Sequence, residues 1–138
     1  MGTGRVSRVP SAPSTRPAFR LTRVTRVTAL PPEDNKLVVL ARATRARTGA
    51  AEGAALRDLD GRTYAAATVD LPSLQVSAVG VAVSMAVASG AQGAEAVVVL
   101  GAGEVSGTDM SIVRDFAGSG VPVHRGTPAG AIEDTLQT

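Results

Sequence analysis

Along residues 30–138 the spacing of apolar positions switches between helix-like and strand-like, and each switch marks an element. In "PPEDNKLVVLARATRARTG" the residues Leu37, Leu40, Ala41 and Thr44 share one face. Acids open this stretch, Arg45 and Arg47 stand near its end, and Gly49 stops it. Each charge suits its end of the helix dipole, so the stretch specifies one complete helix. Next, "AALRDLDGRTYAAATV" reads as two strands joined by Asp60-Gly61, a strong hairpin signal. A helix from about Pro72 to Ser89 follows, apolar nearly all round and stopped by Gly90. Such a helix has to be covered on several sides. "AEAVVVLG" predicts a buried strand, its unbroken valine run suiting an interior place with both faces covered. A glycine-rich loop over 101–107 leads to a short helix around Asp109–Ala117. "VPVHR" is a fourth strand, and Pro122 assigns it to a sheet edge or a strand start. Residues 127–138 are expected to close the chain as a short helix.

The order helix, strand, strand, helix, strand, helix, strand, helix argues for an α/β protein, a mixed sheet sandwiched by helices. A length of 138 residues suits one domain with its own core. Two Phe, one Tyr and no Trp leave that core to Ala, Val and Leu. It packs closely but offers few rings on which a base could stack. No apolar run long enough to span a membrane occurs; residues 71–89 come nearest, and Gln75, Ser77, Gly80 and Ser84 mark them as a buried soluble helix. The absence of cysteine excludes disulfides, thiolate metal sites and a cysteine nucleophile. With no apolar core to a leader sequence, the expected location is the cytoplasm.

Charge divides the chain. Residues 1–29 carry six Arg and no acid, whereas 30–138 carry eight Lys or Arg against all twelve acids, a balance of −4. The first segment, with "SRVPSAPSTRP", is expected to be a basic disordered arm, and 30–138 the folded domain. In "RLTRVTRVT" the apolar residues recur every three positions, which serves neither face of a strand. The arm is read either as a solvated extension or as a tether to nucleic acid or a membrane surface, any nucleic-acid binding being weak and salt-sensitive.

Three strings, "ARATRARTGAAEGAALRDLDGRTYAAATVD", "SAVGVAV" and "AEAVVVLG", in this order of elements, resemble the cytidine deaminase family from about Asn35 to Val123. The resemblance implies a three-layer α/β/α fold with a mixed sheet of about four to five strands. It also implies assembly as a dimer or tetramer. In that family the helix after the hairpin begins with a Cys-Ala-Glu or His-Ala-Glu motif and the next with Pro-Cys-x-x-Cys. Three ligands hold zinc, and the glutamate shuttles protons as zinc-bound water attacks cytosine.

Carried over residue by residue, the resemblance puts Ser77 at the first ligand and Val79 at the glutamate. Thr108 and Ser111 fall at the Cys-x-x-Cys positions, and Thr68, Val69 and Asp70 at the family's sugar-binding Asn-Val-Glu. Valine moves no proton, and neutral hydroxyls are poor zinc ligands. The expectation is therefore a domain with no catalytic residues, no metal and no cofactor. Its pocket, lined by Thr68, Asp70, Ser77, Thr108 and Ser111, would hold a nucleoside or similar small polar ligand, unless Val and Ala have filled it to leave an assembly protein. A zinc-dependent deaminase is the alternative that similarity alone suggests.

Other chemistry is thin. "GAGEVSG" lacks the Gly-x-Gly-x-x-Gly spacing and a following Lys, and no Gly-x-Ser-x-Gly occurs. The single histidine, His124, is expected to be satisfied or exposed at a strand end, and Arg42, Arg45 and Arg47 to form a solvated helix face. Asp70, Ser73, Ser106 and Thr108 stand where helix N-caps are wanted.

Overall fold

The computed structural model describes residues 29–138 together with the two-residue strand β1 (Val24–Thr25). The elements continue as α1 (Pro32–Thr48), β2 (Gly53–Asp58), β3 (Thr63–Ala67), β4 (Val69–Leu71) and β5 (Leu74–Val76). Then come α2 (Ala78–Ala88), β6 (Ala94–Leu100), α3 (Gly107–Ala117), β7 (Pro122–Gly126) and β8 (Ile132–Gln137). The main sheet has the order β1-β8-β7-β6-β2-β3, and β4 and β5 form a separate small hairpin. Within the main sheet β6 and β7 run parallel and every other pair is antiparallel.

Strand β6 shows why the sheet carries helices on both faces. Val97 and Val99 join the core beneath α2 and α3. Ala96, Val98 and Leu100 join the core beneath α1. Period-two alternation of apolar residues to both sides leaves neither face able to meet water. The result is the expected three-layer α/β/α sandwich around a mixed sheet.

Helix α1 follows its sequence signals. Glu33 and Asp34 stand in the first turn, Arg45 and Arg47 in the last, and Gly49 at φ 68° donates its amide to the Arg45 carbonyl. Leu37, Val38, Ala41 and Thr44 are its buried face. Its closest approach to the sheet is at Gly53, where a Cβ would collide with the Ala41 carbonyl oxygen and lie 2.8 Å from Arg45 Cβ. The β2–β3 hairpin turns as predicted. Asp58, 1% exposed, accepts the amides of Asp60 and Arg62 at 2.9 Å and the Tyr64 hydroxyl at 2.8 Å. Burial opposes its ionisation, but these hydrogen bonds outweigh burial and hold its pKa below the usual value.

Two expectations are corrected. The helix predicted from Pro72 begins only at Ala78, because residues 69–76 form the β4–β5 hairpin with Val69 opposite Val76. Pro72 lacks an amide proton and fixes φ, so Pro72-Ser73 makes a tight turn. Leu71 and Leu74, which extended the apolar pattern, lie exposed at its tip. Asp70 and Ser73 consequently cap no helix. The predicted C-terminal helix is instead strand β8, paired along β7. There it satisfies backbone groups that a helix would leave open. Val24–Thr25 pair with Leu136 and Thr135 of β8; the other residues of 1–28, within the segment read as an arm, lie outside the described residues. Pro122 is the first residue of β7, so of its two predicted places the strand start holds.

Because a side chain at residue 53 has backbone against it, Gly53→Ala should cost on the order of 1–3 kcal/mol by forcing α1 off the sheet. Denaturant unfolding beside the parent measures the loss; an unchanged midpoint would show that this helix–sheet contact yields freely.

Candidate functional site

The N-terminal ends of α2 and α3 lie at the same end of the sheet as the start of β2 and the end of β6. Register brings this about: Gly53 pairs with Leu100, so Glu52 and Gly101 are neighbours beyond the last rung. A Cβ on Gly101 would lie 2.9 Å from Glu52 Cγ, so the glycine lets the glutamate side chain run across the strand end. Thr68 closes the other side. Its hydroxyl accepts the Glu52 amide at 3.0 Å, and its own amide donates to the Glu52 carbonyl at 3.1 Å.

Ser77 is the N-cap of α2, its Oγ accepting the Gly80 amide at 3.0 Å. The same hydroxyl donates to Asp109 Oδ1 at 2.7 Å. Asp109 stands in the first turn of α3, its amide donating to the Ser106 N-cap hydroxyl at 3.0 Å. Ser106 thus caps α3 as expected, while Thr108 lies inside the helix rather than at its cap. The Ser77–Asp109 bond joins the starts of the two helices.

Above it opens a cleft of about 490 Å³ between Glu52, Thr68, Val69 and the β4–β5 hairpin residues Asp70, Gln75 and Val76, with Ser77 at its base. No Lys, Arg or His lines it. Burial, and then repulsion from Asp109, pushes the Glu52 carboxyl above its ordinary pKa.

Of the five residues assigned from sequence, Thr68, Asp70 and Ser77 line this cleft together. Thr108 and Ser111 do not: both are exposed on α3 and absent from the lining. The helix turns Asp109 inward in their place. Glu52, Gln75 and Asp109 escaped the sequence reading. Asp109 had a signal, since Ser106-x-x-Asp109 has the spacing of a capping box, with the acid at the third helical position. Glu52 had none, because only the pairing of β2 with β6 carries it here.

The residues at the family's ligand positions do not fit zinc. Ser77 Oγ is committed to Gly80 and Asp109, and Thr108 and Ser111 point outside the cleft. Val79 is fully buried among Val97, Val99 and Ala82. Among the described residues no three His, Asp or Glu groups converge as a metal site. His124 faces the other side of the sheet, where Nε2 meets Asp34 Oδ2 at 2.9 Å and Nδ1 meets the Thr135 hydroxyl at 2.7 Å. It is a satisfied histidine.

Residues 30–130 match the cytidine deaminase-like family, and the chain belongs to that family. Its fold is similar to a solved cytidine deaminase from Burkholderia pseudomallei, at a TM-score of 0.64 and 21% identity over 72% of this chain and 88% of that one. The Mycobacterium leprae cytidine deaminase gives a TM-score of 0.58 at 21% identity over 72% of this chain and 91% of that one. That from Mycobacterium tuberculosis gives 0.57 at 22% identity over 64% and 81%. At these identities the likeness carries the fold alone. Among curated proteins none matches the chain.

Two substitutions test the environment of the site. Val79→Glu would bury a carboxylate without a partner, and should destabilise the fold by roughly 3–5 kcal/mol in denaturant unfolding. A neutral outcome would mean that water reaches residue 79. Glu52→Gln should act in the opposite direction. A carboxyl whose pKa is raised by folding binds its proton more tightly in the native state, so ionisation weakens the fold as pH rises through that interval. The glutamine variant should therefore be the more stable one at neutral pH, with the advantage gone below about pH 4. Unfolding curves across that range report the crossover.

Proposed function

We propose that this chain is a non-catalytic cytidine deaminase-like domain whose cleft binds a small polar ligand of nucleoside type. The observation that supports the reading is the exchange of chemistry at the start of α2. Ser77, engaged by both its bonds, replaces a zinc ligand, and buried Val79 replaces the proton-carrying glutamate. A valine side chain neither gives nor takes a proton. The cleft is open and its rim residues Asp70 and Gln75 are exposed, so a small polar ligand can reach it from solvent. Gln75, Asp70 and Glu52 can meet the ring nitrogens and hydroxyls of a nucleoside by hydrogen bonds, while Thr68 holds the Glu52 backbone in place.

The outer face of α2 supports self-association as a dimer or tetramer. The helix carries no charged residue, and Met85 and Val87 are 40% and 56% exposed. No helix among the described residues is long and apolar enough to cross a membrane. The arginines before residue 29, as a weak nucleic-acid tether, lie outside the described residues. Family membership favours a second reading, a zinc-dependent cytidine deaminase, which would require a ligand set other than the family's own.

The purified protein, dialysed and assayed for zinc by elemental analysis, should contain far less than one ion per chain. It should release no ammonia from cytidine or deoxycytidine. Titration calorimetry with the same nucleosides should give saturable heat that Gln75→Leu weakens about tenfold, the loss expected of one hydrogen bond to a ligand. Chelator-sensitive ammonia release would overturn the reading in favour of the enzyme; no heat with any nucleoside would leave the assembly role.

A further inference from the structure

We infer that the Ser77–Asp109 hydrogen bond is an internal tie that holds the starts of α2 and α3 together where the family's arrangement would use a metal. In the resemblance, ligands at the beginning of both helices share one ion, so the ion clamps helix to helix. Here those ligands are absent, yet the two helices still pack on one another. One polar link joins their ends among the described residues. It runs from the Gly80 amide to Ser77 Oγ at 3.0 Å, and from that hydroxyl to Asp109 Oδ1 at 2.7 Å.

The charge of the tie is sited to do this work. Asp109 is 5% exposed, and no Lys, Arg or His side chain bonds to its carboxylate among the described residues. Its compensation comes from the Ser77 hydroxyl and from the positive ends of both helices, α2 across the gap and α3 from its own first turn. Helix α2 has no acid in its first turn and no basic residue in its last, so it supplies no charge of its own. One buried carboxylate thus serves two helix ends, the reverse of a cation held by anionic ligands. The inference is independent of whether the cleft binds a nucleoside. It does bear on the cleft floor, since the same carboxylate is what repels Glu52.

The test uses the full chain with Ser77→Ala, Asp109→Ala and the double variant. Each single change should lower the thermal midpoint by about 3–8 °C. The double variant should fall little below Ser77→Ala, which already removes the tie together with the cap. Were the Ser77 loss that of its cap alone, the two losses would add. Amide hydrogen exchange should quicken together at Gly80 and Asp109 while α1 keeps its protection, and the Glu52 carboxyl should titrate lower in Asp109→Ala. A chelator should leave the parent midpoint unmoved. Fully additive losses, unchanged midpoints in both single variants, or a parent that melts earlier with chelator would each overturn the tie. Should Asp109→Ala fail to fold, Asp109→Asn, which removes the charge but keeps an acceptor oxygen for Ser77, takes its place in the cycle. Losses less than additive support the tie, and fully additive losses overturn it.

Discussion

Strand β6 has to be dry on both faces, and the remaining architecture follows from that requirement. Its residues from Ala96 to Leu100 are buried to either side, and it bonds to β2 on one edge and β7 on the other. Covering one face requires α1; covering the other requires α2 and α3. Because β6 and β7 are parallel, the chain must cross between them, and α3 is that crossover. This brings the start of α3 to the carboxyl end of β6, beside the start of α2. The cleft is a consequence of how the valine strand is covered. Small residues make the covering close: Gly53 under α1, and Ala78, Ala82 and Ala86 along α2.

Two buried polar clusters sit on opposite faces of this sheet, and their contrast separates support from site. On the α1 side, Asp34 bridges His124 and Arg57, while Thr135 takes the second ring nitrogen. Arg57 also meets Glu95 at 2.7 Å. Burial works against the guanidinium charge, but its two carboxylate partners hold the pKa above the ordinary value. Every group there has a partner, and the cluster joins α1, β2, β6, β7 and β8. Saturated networks of this kind fix a packing arrangement and leave nothing to a ligand. On the other side, Glu52 leans over the cleft without a cation, close to a second carboxylate. Unspent polar capacity in a cleft is where a small molecule finds its contacts. Two carboxylates without a cation partner among the described residues, Glu52 and Asp109, therefore gather at one end of one face.

Much of this was legible along the chain because it is encoded locally. Helix α1 carried its own start, face and stop; Asp60-Gly61 carried a hairpin; the valine run carried a doubly covered strand. Those features need only period and turn chemistry. The family likeness placed Ser77 and Val79 at the start of α2, and the structure shows one as a cap and the other sealed in the core. What local pattern misread was decided by pairing. Leu71 and Leu74 fit a helical period, yet Pro72-Ser73 turned them into a hairpin tip. The end of the chain became β8 because the edge of β7 offered backbone partners. The inward carboxylate at α3 is Asp109 and not Thr108 or Ser111, since the helix's rotation on the sheet chooses which side chain faces α2. Glu52 reaches the cleft only through the rung that sets Gly53 against Leu100. By itself the sequence determined the elements that close on near neighbours and which residues stand at the family's ligand and glutamate positions. Register and helix rotation, which depend on residues dozens of positions apart, belonged to the tertiary structure, and they decided which side chains share the site.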